Sequence, residues 1–168
     1  MPANAWIFQS NPKIYQLRRA LLELEEQVWR VTRYQTEMRI GDTVYFWEAG
    51  RDAGILAVGQ LSSLPATVAE PASQLPFHRE PRAFSATQPR VTVSKIRLLP
   101  AKLPKRAVQA GPHLAGLHIL RCPRGANFRL TTQEAESLVQ LIRSYSLVSS
   151  TQLPAGERRV LLNPTGWP

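Results

Sequence analysis

The stretch NAWIFQSNP, residues 4–12, decides how the rest of the chain is read. AWIFQ (5–9) is apolar and aromatic and reads as a strand. It stops at Ser10 and Asn11, and Pro12 follows. Asn is a preferred helix N-cap and Pro a preferred first helical residue, so the pair predicts a strand running straight into a helix. Ile14, Leu17, Leu21, Leu24 and Val28 then recur at spacings of three and four, which predicts an amphipathic helix over 12–27. Asn11 has two readings, a plain cap or the rim of a binding site, and one side chain can serve both.

Outward from there the pattern turns to strands. VWRVTRY (28–34) is short, β-rich and aromatic. MRIGDTVYFWEAGRDAGILAVGQL (38–61) reads as a hairpin with strands at 43–48 and 54–61. Residues 62–90 are punctuated by Pro65, Pro71, Pro76, Pro81 and Pro89 and read as a long loop. RVTVSKIRLL (90–99), GLHILRC (116–122) and ANFRL (126–130) are strand candidates. Thr131 or Thr132 caps a last helix over 132–144. Residues 148–168 have weak periodicity and read as a tail or linker, leaving 1–147 as the domain. The expectation is α+β, with a strongly bent mixed sheet or small barrel of five to six strands flanked by helices.

Composition narrows the function classes. At 168 residues and 43% hydrophobic, the chain can build a core without disulfides. The single cysteine, Cys122, fits a reducing cytoplasm and reads as a buried structural thiol. No apolar run is long enough to span a membrane, and no signal peptide is evident. The net charge is +9, carried almost entirely by residues 76–125, which hold ten Lys/Arg against one acid, Glu80. Charge so localised reads as the footprint of a polyanion, against the plainer reading of a solvated basic loop. His78, His113 and His118 lack metal-site spacing, so no metal is expected. No phosphate loop and no framed nucleophile is present, which disfavours an enzyme. Asp42, Glu48 and Asp52 flank the hairpin and read as a solvated turn.

WIFQSNPKIY (6–15), VWRVTRY (28–34), IGDTVYFWEAGRDAGILAVGQL (40–61) and ANFRLTTQEAESLVQLI (126–142) together resemble the EVE domain, a PUA-like fold related to the YTH reader domains. The resemblance covers about residues 5–145. It implies a module that binds modified bases in nucleic acid with no cofactor, alone or joined to nuclease and GTPase modules of restriction systems. By position, it implies that Ser10 and Asn11 hold the base and its backbone. Trp29 and Trp47 are implied as aromatic walls, with Arg33 and Tyr34 at the pocket edge. The family's Pro-x-Trp after the long loop is here Pro89-Arg90-Val91, so the third wall falls to Phe84 or Phe77, or is absent. Trp6, mid-strand, is assigned to the core.

Physical requirements agree with that implication. Reading one base takes a slot for the ring, polar groups for its edge and positive charge for the backbone. Arg79, Arg82, Arg90, Lys95 and Arg97 are the candidates for the backbone. The expected ligand is DNA carrying 5-methylcytosine or 5-hydroxymethylcytosine, with N6-methyladenine second. Modified or structured RNA is the alternative, and an enzyme acting on a nucleotide the third reading.

Overall fold

In a computed structural model, which describes residues 3–80 and 86–151, one curled sheet organises the chain. Its strands are β1 (Ala5–Ser10), β2 (Gln27–Arg30), β3 (Thr43–Glu48), β4 (Gly54–Leu61), β5 (Ala66–Val68), β6 (Gln88–Pro104) and β7 (Asn127–Leu130). Helices are α1 (Leu17–Glu23), α2 (Lys105–Ala110), α3 (His118–Arg121) and α4 (Thr132–Thr151). The order across the sheet is β2-β6-β4-β3-β1-β7, with β5 also paired to β6. β1 and β3 run parallel; every other pair is antiparallel. The mixed, curled sheet has the PUA-like form expected.

Both faces of the sheet are covered, because alternate residues of β1 and β3 are apolar in both directions. On the first face Trp6 and Phe8 meet Val44, Phe46, Trp29, Val31 and α1. On the second, Ala5, Ile7, Tyr45 and Trp47 meet α2, α3, α4 and Phe128. Asp42 ties the base of the β3–β4 hairpin to the sheet. Its buried carboxylate accepts from Trp6 Nε1 (2.9 Å), Asn4 N (2.9 Å) and Arg39 N (2.9 Å). It is a buried structural acceptor, 1% exposed, not the solvated turn residue expected. Trp6 is fully buried, as assigned.

Four expectations are corrected. The first helix begins at Leu17, not Pro12, because Tyr15 bridges to His78 and Gln16 N donates to Phe77 O at 2.8 Å. Backbone pairing with the long loop thus delays the helix. GLHILRC is not a strand: Leu117 and Ile119 enter the second core through the turns and short helix of α3. Cys122 is exposed rather than buried, since it follows the end of α3. The strand predicted at 90–99 runs over 88–104 and bends through register shifts against β4.

The last helix also continues through 148–151, so part of the predicted tail is helical; residues 152–168 lie outside the described residues. The loop 62–90 is firmly anchored in part. Gln74 completes β2 like an extra strand, its Oε1 accepting from Val28 N and its Nε2 donating to Val28 O at 3.0 Å. Beside it, His78 Nε2 lies 2.7 Å from Glu70 Oε1. The ring of Tyr15 stands 4.7 Å from that of His78. Burial, reinforced by the Glu70 carboxylate, pushes the Tyr15 phenol far above its usual range.

Candidate nucleic-acid interface

The C-terminal end of β1 is where the polar and cationic groups gather. Ser10 pairs with Glu48 of β3 and follows Phe8 on the first face of the sheet. It is only 4% exposed, and its Oγ has no hydrogen-bond partner among the described residues. A buried hydroxyl left unpaired costs about 1–3 kcal/mol. Asn11 is exposed. Its Oδ1 accepts from Lys13 N at 3.0 Å, and its carbonyl accepts from the amides of Ile14 and Tyr15. Asn11 therefore caps a turn rather than a helix.

Two segments far apart in sequence are stitched to this end. Asn127, 1% exposed, takes the amides of Thr32 (2.9 Å) and Arg33 (3.3 Å) on Oδ1 and donates from Nδ2 to Arg33 O (2.7 Å). That grip fixes the turn after β2, where Tyr34 adopts a left-handed φ of 60° and packs on Trp6. Gln9 Nε2 donates to Pro123 O (2.8 Å) and Gly125 O (3.0 Å), so the turn that carries Arg124 is held against the end of β1. Gln9 N also donates to Ala126 O at 2.9 Å. From the other side, Arg79 Nε donates to Pro12 O at 2.9 Å. The exposed cations Lys13, Arg33, Arg79 and Arg124 are thus carried on segments anchored near the end of β1. A cleft of about 370 Å³ opens next to Asn11, lined by Pro12, Tyr15, Arg18, Arg19, Glu48 and Arg79 among others.

The two expected tryptophan walls do not face each other. Trp29 is 7% exposed, on the Ser10 face, stacked on Phe8 at 6.0 Å and edge-on to Tyr15 and Phe46. Its Nε1 points to Ala126 O at 3.4 Å, toward the loop that carries Arg124. Trp47 is 3% exposed in the second core, on the opposite side of the sheet. Alternation along β3 sends Phe46, not Trp47, to Trp29, so Trp47 is withdrawn as a wall. Phe77, the other candidate from the loop, is buried against Tyr15. Phe84 and Arg82 lie outside the described residues.

The backbone candidates divide as well. Arg79 reaches the site. Arg90 is 4% exposed, paired through β6 with Arg30 on one side and Ala66 on the other, and is not presented to a strand. Lys95 and Arg97 are exposed but lie mid-sheet; Arg97 pairs with Val58 of β4, three strands from β1 and well below its end. The reading from sequence missed Gln9, Arg124 and Asn127. Asn127 lies inside the quoted ANFRL motif, and only its buried position distinguishes it from an ordinary strand polar. No group of three or more potential metal ligands occurs among the described residues, and no helix there is long and apolar enough to cross a membrane.

Comparison with known proteins bears on this site. The EVE domain family matches residues 4–141. A structure of the human THYN1 protein in complex with 5-methylcytosine-containing DNA is similar at a TM-score of 0.61 and 14% identity, covering 83% of this chain and 98% of that one. A Pseudomonas putida protein is similar at 0.60 and 18% identity, covering 82% and 99%. A hypothetical protein from Leishmania major reaches 0.63 at 13% identity, covering 86% and 97%. Comparison with curated proteins finds no match.

Proposed function

The chain belongs to the EVE domain family, and from that premise we propose that it reads a modified base in DNA, holding it everted at the end of β1 without catalysing a reaction. The observation that carries the reading is the unpartnered Ser10 hydroxyl, buried on the Trp29 face at the end of β1, where Asn11 follows it and the segments carrying Arg33, Arg79 and Arg124 are anchored. An everted base supplies the donor or acceptor that this hydroxyl lacks. Asn11 Nδ2 offers a second contact to the base edge or its phosphate. Trp29, only 7% exposed, supports the ring from the Ser10 face, and the arginines take the flanking phosphates.

Magnitudes decide where selectivity comes from. Extracting a base costs a few kcal/mol, and one aromatic contact returns about 1–3. Burying a methyl group adds about 0.8 kcal/mol, roughly fourfold in affinity. Polar contacts to the base edge must therefore supply the remaining discrimination. A modified cytosine is the leading ligand, supported by the complex of the similar THYN1 protein with 5-methylcytosine DNA; N6-methyladenine is second. A nuclease or GTPase, fused or separate, is the class of partner that would turn such reading into restriction.

The test is a binding panel on one duplex carrying cytosine, 5-methylcytosine, 5-hydroxymethylcytosine, N4-methylcytosine or N6-methyladenine, with a matched RNA. Preference for a 5-modified cytosine of fourfold or more supports the reading. Equal binding to every member overturns it, and tighter binding to the RNA replaces DNA as the ligand.

A further inference from the structure

The base-reading proposal uses one end of β1, but the same edge of the sheet continues across three more strands. Register places Ser10 beside Glu48, Glu48 beside Gly54, and Gly54 beside Pro104. Strands lie about 4.8 Å apart, so the end of β6 is about 14 Å from Ser10. β6 ends there at Pro104, two residues past Lys102, and Lys105 and Arg106 open α2 directly after it. The approach is held tightly. A Cβ on Gly54 would lie 2.3 Å from Leu103 O, and Lys105 N donates to Ala53 O at 2.8 Å.

Charge along this edge is arranged to stay positive. Glu48 would stand between the two ends, but Lys102 Nζ lies 2.5 Å from its Oε1 and also donates to Asp52 O at 2.9 Å. Asp52 adjoins Arg51, so that turn carries no net charge. Lys105 and Arg106 are exposed, and no ion pair holds them among the described residues. No acid occurs anywhere between Glu80 and Glu134. Two adjacent uncompensated cations, at the clamped start of α2 along the same end of the sheet as Ser10, suit a polyanion whose charges are regularly spaced.

We propose that Lys105 and Arg106 form a second contact for the DNA backbone, about four base steps to one side of the everted base, given one phosphate per 3.4 Å of each strand. This rests on the base-reading proposal for its origin of measurement, but its electrostatics do not depend on which base is read. The contact is one-sided. β7, on the opposite flank of β1, is the last strand of the sheet, so the flank running that way meets no equivalent of β6.

The test uses the full chain and K105Q/R106Q, whose exposed positions leave the melting temperature unchanged. Two duplexes carry 5-methylcytosine one pair from an end, with the long flank on its 5′ side in one and its 3′ side in the other. Neutralising two phosphate contacts flattens the slope of log K against log salt by roughly 1.8. That loss is expected for one polarity only. Where the wild type prefers the modified duplex, equal loss in both polarities, or in neither, overturns the proposal. A plain duplex separates the two readings. If the wild type shows no preference for the modified base but the variant still flattens the plain-duplex slope, the base-reading proposal fails and the cationic contact stands. If preference is present and the slope never changes, the reverse holds.

Discussion

Ser10→Ala separates what the site does for the fold from what it does for a ligand. In the free protein the Ser10 hydroxyl is buried and meets no partner among the described residues. Such a group costs about 1–3 kcal/mol, while its one oxygen contributes few packing contacts. Removing it should stabilise the fold by about 1 kcal/mol, which in a domain of this size raises the melting temperature by about 3 °C. The same change removes a hydrogen bond to the everted base, worth about 0.5–1.5 kcal/mol, or roughly 2- to 12-fold in affinity. Thermal melting by circular dichroism and fluorescence anisotropy with a 5-methylcytosine duplex at fixed salt measure the two effects. The expected pattern is a more stable protein that binds the modified duplex less well. A variant that melts several degrees lower would show that the fold itself uses the hydroxyl. One that binds as tightly as the wild type would remove Ser10 from the site.

Asn127→Ala should lose the grip on residues 32–34. Three backbone hydrogen bonds at about 1 kcal/mol each predict a loss of about 3 kcal/mol, read as a fall in melting temperature near 10 °C, with weaker DNA binding as Arg33 is released. Asp42→Asn should destabilise by about 2–4 kcal/mol in denaturant titration, because an amide cannot accept from Trp6, Asn4 and Arg39 together, while the salt slope for DNA stays fixed. Burial pushes the Tyr45 phenol up to about 12, although Arg143 works against it. A phenol raised in the folded state ionises first in the unfolded chain. Stability should therefore hold below about pH 10 and fall as pH rises toward 12. Tyr45→Phe should make that decline shallower in urea midpoints measured from pH 8 to 11.5.

What could be read in the sequence follows from which signals are local. β1, the β3–β4 hairpin and β7 show in short apolar runs bounded by turn residues. The start of α4 shows because Thr131 and Glu134 cap it reciprocally, Glu134 N donating to Thr131 Oγ1 at 3.2 Å and Thr131 N to Glu134 Oε2 at 2.7 Å. The first helix was misplaced because Asn11-Pro12 is a sound cap signal that a distant backbone partner at Phe77 and His78 overrides. Trp47 was misassigned for a different reason. Tyr45, Phe46 and Trp47 are all apolar, and both faces of β3 are buried, so alternation cannot say which parity meets Trp29. Ser10 and Asn11 are implied by the resemblance, and the end of β1 leaves the first buried and the second exposed. Arg124 was invisible as a site residue because only the Gln9 amide, 115 residues earlier, fixes its place.

The central claim, that an everted modified base rests between Ser10 and Trp29, is tested most directly by the indole N–H signals of the protein in ¹H–¹⁵N spectra. The chain has four tryptophans, assignable by single Trp→Phe changes. Titration with a 5-methylcytosine duplex should shift the Trp29 Nε1–H strongly, and more than the unmodified duplex does, while Trp47 on the far side of the sheet stays in place. A modified duplex that binds and leaves the Trp29 signal unmoved would contradict the account.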